Sequence, residues 1–279
     1  MNIGIVGLGV VGSSLGLGLR RLGHQVIGVS RREQTCQDAI RYGVVDRVDT
    51  NLALLTDADV IFICTPLDAI LPTVQRLIPQ LDPSTILTDV GSVKTYIVKT
   101  ITSLWSNFVG GHPIITTSVT QRGIAAAQPH FFREMTYVLT PLENTPTIAV
   151  NTVAKILCSL ECQVDYYSPE VHDRAIALFS HLPLVASYTS IATYLNENEP
   201  NKTIKQTCQK LMSSQFHDLL DKQNYYLEEN KYFRQFNHAE LLQLLRENLY
   251  NLDRIIELVE QDKWCELEQI LMLTKQEYS

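Results

Sequence analysis

The sequence predicts an α/β protein: a doubly wound, mostly parallel sheet over residues 1–167, then an all-α domain over residues 168–279. Three observations predict it. Short apolar runs rich in β-branched residues alternate with amphipathic segments of helical length through the first part. A Gly-x-Gly-x-x-Gly pattern follows the first of those runs directly. After Ser168-Pro169 the texture becomes long helical pattern with almost no glycine. A length of 279 residues also suggests two domains.

Strands are expected at Ile3–Val6, Val26–Val29, Val60–Cys64 and Ile86–Thr88, with Phe108-Val109 and Tyr137–Leu139 as shorter ones. Between them, Val11–Leu22, Gln34–Tyr42, Ala69–Ile78 and Val93–Leu104 read as helices. Thr147–Leu160 reads as a further helix and Gln163–Tyr166 as a last strand. Strands and helices alternating at this length form βαβ units around a parallel sheet. The later part is typified by Ala239–Val259, whose Leu241, Leu245, Leu249, Leu252 and Ile256 make a wide apolar stripe. Such a stripe serves either as domain core or as the interface of a homodimer.

Hydrophobic residues make up 45% of the chain and charged residues 19%, the range of a soluble globular protein. A net charge of −7 argues against nucleic-acid binding, which needs a surplus of lysine and arginine. No uninterrupted apolar run approaches the ~20 residues that span a bilayer. Met1 runs into the first strand without a leader, so a cytoplasmic protein with no membrane partner is expected. The six cysteines (36, 64, 158, 162, 208 and 265) form no Cys-x-x-Cys pair. They read as small buried hydrophobes in a reducing compartment, with no metal site.

Gly7-Leu8-Gly9-Val10-Val11-Gly12 joins a strand to a helix, the context that makes this pattern specific for a dinucleotide in a Rossmann-type domain. Gly7 permits the tight turn, Gly9 the approach of a pyrophosphate, and Gly12 the close packing of helix on strand. The free N–H groups of the helix N-terminus then face the phosphates. After the second strand come Ser30, Arg31 and Arg32, where an NAD site carries a carboxylate for the ribose 2′-OH. A hydroxyl and two guanidiniums suit a 2′-phosphate instead, so the expected cofactor is NADP. Glu33, one residue on, is the competing acid. Cys64, Thr65 and Pro66 end the third strand at the sheet's carboxyl edge, where the nicotinamide half lies.

Further on stand Asp89-Val90-Gly91-Ser92-Val93-Lys94 and Gly110-Gly111-His112-Pro113. With Gly7–Gly12, Thr65-Pro66, Tyr137–Pro141, Ser168–Asp173 and Ser180–Pro183, they make the chain resemble the prephenate/arogenate dehydrogenase family. The resemblance covers nearly the whole chain and is specific to about residue 183. It implies oxidation of a 4-hydroxycyclohexadiene by hydride transfer to NAD(P), with loss of carbon dioxide, in tyrosine biosynthesis. It gives His112 the role of general base and Ser92 that of its orienting partner, and it places Asp89 and Gly91 beside the cofactor. A neutral imidazole is a suitable base for a hydroxyl that acidifies as hydride leaves. His172-Asp173 and Ser180-His181 match the family too, His181 reading equally well as a substrate contact or a buried helix histidine.

The likeness breaks down on the substrate side. Members follow His-Pro with Met/Ile-Ala-Gly, whereas this chain has Ile114-Ile115-Thr116-Thr117, which puts Thr116 and Thr117 in the substrate region. A second histidine is replaced by Leu184, and the arginine that holds a substrate carboxylate aligns with Asp221. Arg122, Arg174, His217, Lys222 and Arg234 are conceivable substitute cations, with His217 the one assigned to the substrate. Three functions follow in order of preference: an NADP-dependent arogenate or prephenate dehydrogenase, a paralogue acting on another cyclohexadienol or hydroxy acid, and a catalytically silent NADP-binding dimer.

Overall fold

The computed structural model describes residues 1–115, 123–196, 207, 213 and 231–277. Two compact units divide it, Met1–Ile176 and Ala177–Ser279.

In the first unit, β1 (Asn2–Val6), β2 (Gln25–Val29), β3 (Arg47–Asp49), β4 (Val60–Ile63), β5 (Ile86–Asp89), β6 (Phe108–Pro113), β7 (Thr136–Thr140) and β8 (Gln163–Tyr166) form one sheet. Their order is β3-β2-β1-β4-β5-β6-β7-β8. All neighbours are parallel except β6 and β7, which pair antiparallel with His112 opposite Val138. The order reverses between β1 and β4, and the crevice at that switch point is where doubly wound sheets take their ligands. The helices α1 (Val10–Arg21), α2 (Glu33–Arg41), α3 (Leu67–Leu77), α4 (Thr95–Leu104), α5 (Thr147–Ser159) and α6 (Pro169–Ile176) complete the unit.

Central strands β1 and β4 are buried along nearly their whole length, which is why they read as continuous apolar runs rather than alternating ones. Ile3, Ile5, Val60 and Phe62 meet Leu15 and Leu19 of α1 in one core cluster that also takes in Val153 and Leu157 of α5. β3 is absent from the expectations above: three residues, two of them exposed, leave no apolar run to see. Phe108-Val109 extends to Pro113 because β7 pairs with the Gly-Gly-His-Pro segment and draws it into the sheet.

The division between units comes one short helix later than the change of texture at Ser168-Pro169. Asp173 explains it, since its carboxylate accepts the N–H groups of Lys94 and Thr95 at 2.7 Å each and so ties α6 to the start of α4.

The second unit holds a π-turn at Ala177–His181, α7 (Leu182–Leu195), α8 (His238–Glu260) and α9 (Trp264–Glu277). α8 packs on α7 and on the π-turn through Leu241 and Leu244. Much of its apolar stripe stays uncovered: Leu249 is 58% exposed and Ile256 46%. Pro169–Leu195 is a continuous helix of 27 residues whose most apolar 18-residue window has a mean hydropathy of 1.4, long and apolar enough to cross a bilayer by length and composition alone, although His172, Asp173, Arg174 and His181 interrupt it. Only 11% of its most apolar window is buried within the chain. One correction concerns cysteine. Cys36 and Cys162 are buried as expected, but Cys158 and Cys265 are exposed, on the outward faces of α5 and α9.

Candidate active site

The turn after β1 is shaped by its glycines. Gly7 sits at φ 97°, and a Cβ there would lie 2.6 Å from the Cys64 carbonyl oxygen, so the loops after β1 and β4 touch. A Cβ on Gly12 would lie 2.0 Å from the Gly7 carbonyl oxygen. Only glycine fits either place. A Cβ on Gly9, by contrast, would meet nothing within 4 Å. Gly9 is also the N-cap of α1, and no side chain caps that helix. Open space, an uncapped helix N-terminus and its positive dipole end fit a pyrophosphate. Val10 and Val11 are half-buried in the first turn, whereas the Leu8 side chain is 4% exposed and packs into the core, leaving only its backbone at the turn.

Beyond β2, Ser30 is half-buried, and Arg31 and Arg32 are exposed just ahead of α2, with no ion pair to a carboxylate among the described residues. Asp49, which ends the neighbouring β3, turns its carboxylate to the Asn51 N–H at 2.9 Å and to the Thr50 hydroxyl. Glu33 opens α2, exposed. On the other side of β1, Thr65 buries a hydroxyl oxygen without a partner, and Pro66 is exposed as the N-cap of α3. Burial pushes the half-exposed Cys64 residue's thiol far up, so it stays a neutral thiol there.

Asp89, expected beside the cofactor, has a carboxylate that is fully buried and turned inward. One oxygen accepts from Lys94 Nζ and from the Gly91 N–H at 2.8 Å, and the other accepts from the Gly111 N–H at 3.1 Å. Its carbonyl accepts from the Tyr137 hydroxyl at 3.2 Å. Lys94, also fully buried, donates a second bond to the Gly111 carbonyl at 2.8 Å. Burial drives the Lys94 pKa down, and the Asp89 charge opposes it. An ion pair out of water is held only with the help of further hydrogen bonds, which here are the Gly91 and Gly111 N–H groups on the carboxylate and the Gly111 carbonyl on the ammonium. Together Asp89 and Lys94 clamp Gly111, and therefore the backbone that carries His112. Neither glycine of this segment faces open space: a Cβ on Gly110 would lie 2.4 Å from Val98 Cγ2, and one on Gly111 2.7 Å from the Asp89 carbonyl oxygen.

His112 is half-buried on β6. Its Nδ1 lies 2.9 Å from Nε2 of His172, and the two rings meet edge to face with centroids 5.1 Å apart. His172 Nδ1 lies 2.8 Å from Asp173 Oδ1. His172 and Asp173 are 3% and 2% exposed, so water does not compete for these bonds. Burial alone would raise the Asp173 pKa, but the bonds from His172, Lys94 and Thr95 outweigh it and hold the carboxyl below its usual range. Ser92, half-buried after Gly91, forms no hydrogen bond with His112 among the described residues. Among the described residues His112 thus bonds to His172, which the sequence marked only by family likeness.

Glycine loop, Cys64–Thr65, Asp89–Lys94 and His112 come from the ends of β1, β4, β5 and β6 within one unit, so the site is built along one edge of the sheet. Of the remaining expected residues, His181 lies in the second unit, 7% exposed, with its ring 4.9 Å from that of Phe233 and its Nδ1 3.5 Å from the Asn237 amide. Thr116, Thr117 and His217 lie outside the described residues, as do Arg122, Asp221 and Lys222.

Such a sheet with its glycine loop, followed by a separate helical unit, defines a dinucleotide-binding protein of the doubly wound class. Residues 15–166 match the nucleotide-binding domain of prephenate dehydrogenase and residues 168–273 its dimerization domain. The chain belongs to the prephenate dehydrogenase family. It superposes on the crystal structure of Synechocystis arogenate dehydrogenase with a TM-score of 0.89 and 39% identity, over 99% of this chain and 98% of that one. Prephenate dehydrogenase of Bacillus subtilis is 30% identical over 202 residues, 70% of this chain and 54% of that protein. Cyclohexadienyl dehydrogenase of Zymomonas mobilis is 28% identical over 72% of this chain and 70% of its own length. The chain therefore spans about half the length of the B. subtilis relative.

Proposed function

We propose that the protein is an NADP-dependent arogenate or prephenate dehydrogenase with His112 as general base. One observation carries the reading: an imidazole bonded through Nδ1 to a buried His–Asp pair stands on the same sheet edge as an uncapped glycine loop. Bound NADP supplies the hydride acceptor for the carbinol carbon of the substrate. His112 takes the hydroxyl proton through Nε2 while the O–H electron pair becomes the new C=O bond. The ring carboxylate then leaves as carbon dioxide, its bonding pair flows through the ring to that oxygen, and His112 returns the proton to give a phenol. Ser92, which the family resemblance puts beside His112, would hydrogen-bond the same substrate hydroxyl. The likeness to Synechocystis arogenate dehydrogenase favours arogenate over prephenate as the substrate.

This activity is tested by following nicotinamide reduction with arogenate and with prephenate. Turnover of arogenate is expected, and inertness toward both sinks the reading. For the cofactor, the support is Ser30, Arg31 and Arg32 in place of an acid, with Asp49 engaged elsewhere. Arg31→Ala is expected to weaken NADP binding by roughly tenfold to a hundredfold, the worth of a charge-assisted bond, and to leave NAD binding nearly unchanged. Titration of both nucleotides reads the difference, and equal losses would remove the 2′-phosphate clamp. The exposed stripe of α8 and the sparsely buried Pro169–Leu195 helix support a homodimer through the helical unit.

A further inference from the structure

We propose that His172, anchored on Asp173, is a positioning residue that holds His112 in the Nδ1–H tautomer and so leaves its Nε2 without a hydrogen, ready to take a proton. The proposal rests on the reading of His112 as base and specifies how that base is made.

The hydrogen positions follow from the donors and acceptors. Asp173 accepts two backbone N–H bonds, Lys94 on Oδ1 and Thr95 on Oδ2, both at 2.7 Å. A carboxylate so placed is ionised and can only accept. The nitrogen 2.8 Å from its Oδ1, His172 Nδ1, must therefore carry the hydrogen. A neutral imidazole has one N–H, so His172 Nε2 is bare and can only accept. At 2.9 Å from it, His112 Nδ1 must be the donor. The single N–H of neutral His112 is then committed to His172. Nε2 is left as the basic nitrogen. Free neutral histidine favours the opposite tautomer, so the preference has to be imposed, and burial of His172 and Asp173 to 3% and 2% exposure keeps water from relaxing it.

Asp173 reaches the site by a second route. Through the N–H groups of Lys94 and Thr95 it holds the start of α4, two residues past Ser92. One carboxylate thus fixes both the tautomer of His112 and the backbone next to Ser92. The sequence separates these groups by 60 residues or more, and only α6 lying on α4 brings them together.

The test is the imidazole ¹⁵N spectrum of the full-length protein at alkaline pH, where both rings are neutral. In the native protein His112 is expected to show a bare Nε2 and a protonated Nδ1. His172→Leu removes the acceptor, and an Nε2–H signal for His112 is expected to appear. His172→Gln, whose Oε1 can accept from Nδ1–H, is expected to restore the native pattern. A His112 that carries its hydrogen on Nε2 in the native protein overturns the proposal without any variant, as does a tautomer that does not respond to His172→Leu. In single-turnover hydride transfer, His172→Leu should be slower by roughly tenfold to a hundredfold, with recovery in His172→Gln and nucleotide affinity unchanged in both. The spectrum needs no substrate. Should the native tautomer be as stated while no cyclohexadienol is turned over, the functional reading fails and the tautomer assignment stands.

Discussion

His112→Asn is expected to fold, to bind the dinucleotide as the native protein does, and to turn over substrate roughly 10²- to 10⁴-fold more slowly, the contribution of a positioned general base. Asparagine isolates that contribution. Its amide N–H can occupy the place of imidazole Nδ1–H and donate to His172 Nε2, so the bond seen at 2.9 Å survives. What disappears is the nitrogen on the far side of the ring. The strand itself is indifferent to the exchange, because His112 pairs with Val138 through backbone alone. Steady-state rates and a nucleotide titration on the same preparation decide the matter. A variant keeping a tenth or more of native kcat would show that the hydroxyl proton leaves by another route. One that loses nucleotide affinity as well would show that His112 serves the cofactor.

The parts of this site that the sequence made legible are those whose residue type is forced locally. A turn that needs φ 97° at Gly7 and a backbone that would strike any Cβ at Gly12 leave a trace that can be read without neighbours. The buried strands β1, β4 and β5 are equally readable, since a run of β-branched residues has few other places to go. What could not be read is pairing across the chain. Asp89 ends a strand at the edge where ligands bind, and the family resemblance places it beside the cofactor. Nothing in its neighbourhood shows that Lys94 curls back to meet it or that Gly111 donates to it. Ser92 was paired with His112 by likeness, while the imidazole that His112 meets is supplied by α6. β3 escaped because two of its three residues face solvent and the strand exists only through its pairing with β2.

The frame under His112 makes a second large prediction. Lys94→Met is expected to cost about 3–5 kcal/mol of stability, the penalty for leaving a buried carboxylate without its partner. For a unit of this size that lowers the melting temperature by roughly 6–20 °C. Methionine fills most of the volume of the lysine stem, so the loss reports the charge and not a cavity. Asp89 keeps the N–H groups of Gly91 and Gly111, but two neutral donors do not replace an ammonium beside a group with no access to water. The double variant Asp89→Asn/Lys94→Met removes both charges and is expected to be more stable than Lys94→Met alone, since a buried pair is far costlier to break than to delete. Protonation neutralises the orphaned carboxylate, so the deficit of Lys94→Met should be smallest in acid and widen as pH rises toward neutrality. Urea melts of the three proteins at several pH values measure all of this. A deficit under about 1 kcal/mol, or one that does not change with pH, would mean that Asp89 is not the charged centre of the clamp. Catalysis should suffer beyond stability. With Lys94 gone, the Gly111 carbonyl loses the donor now 2.8 Å away, and the strand that aims His112 is held from one side only. At a temperature where Lys94→Met is fully folded, kcat is therefore expected to fall while nucleotide affinity, set by a loop on β1 that Lys94 does not hold, stays as it was.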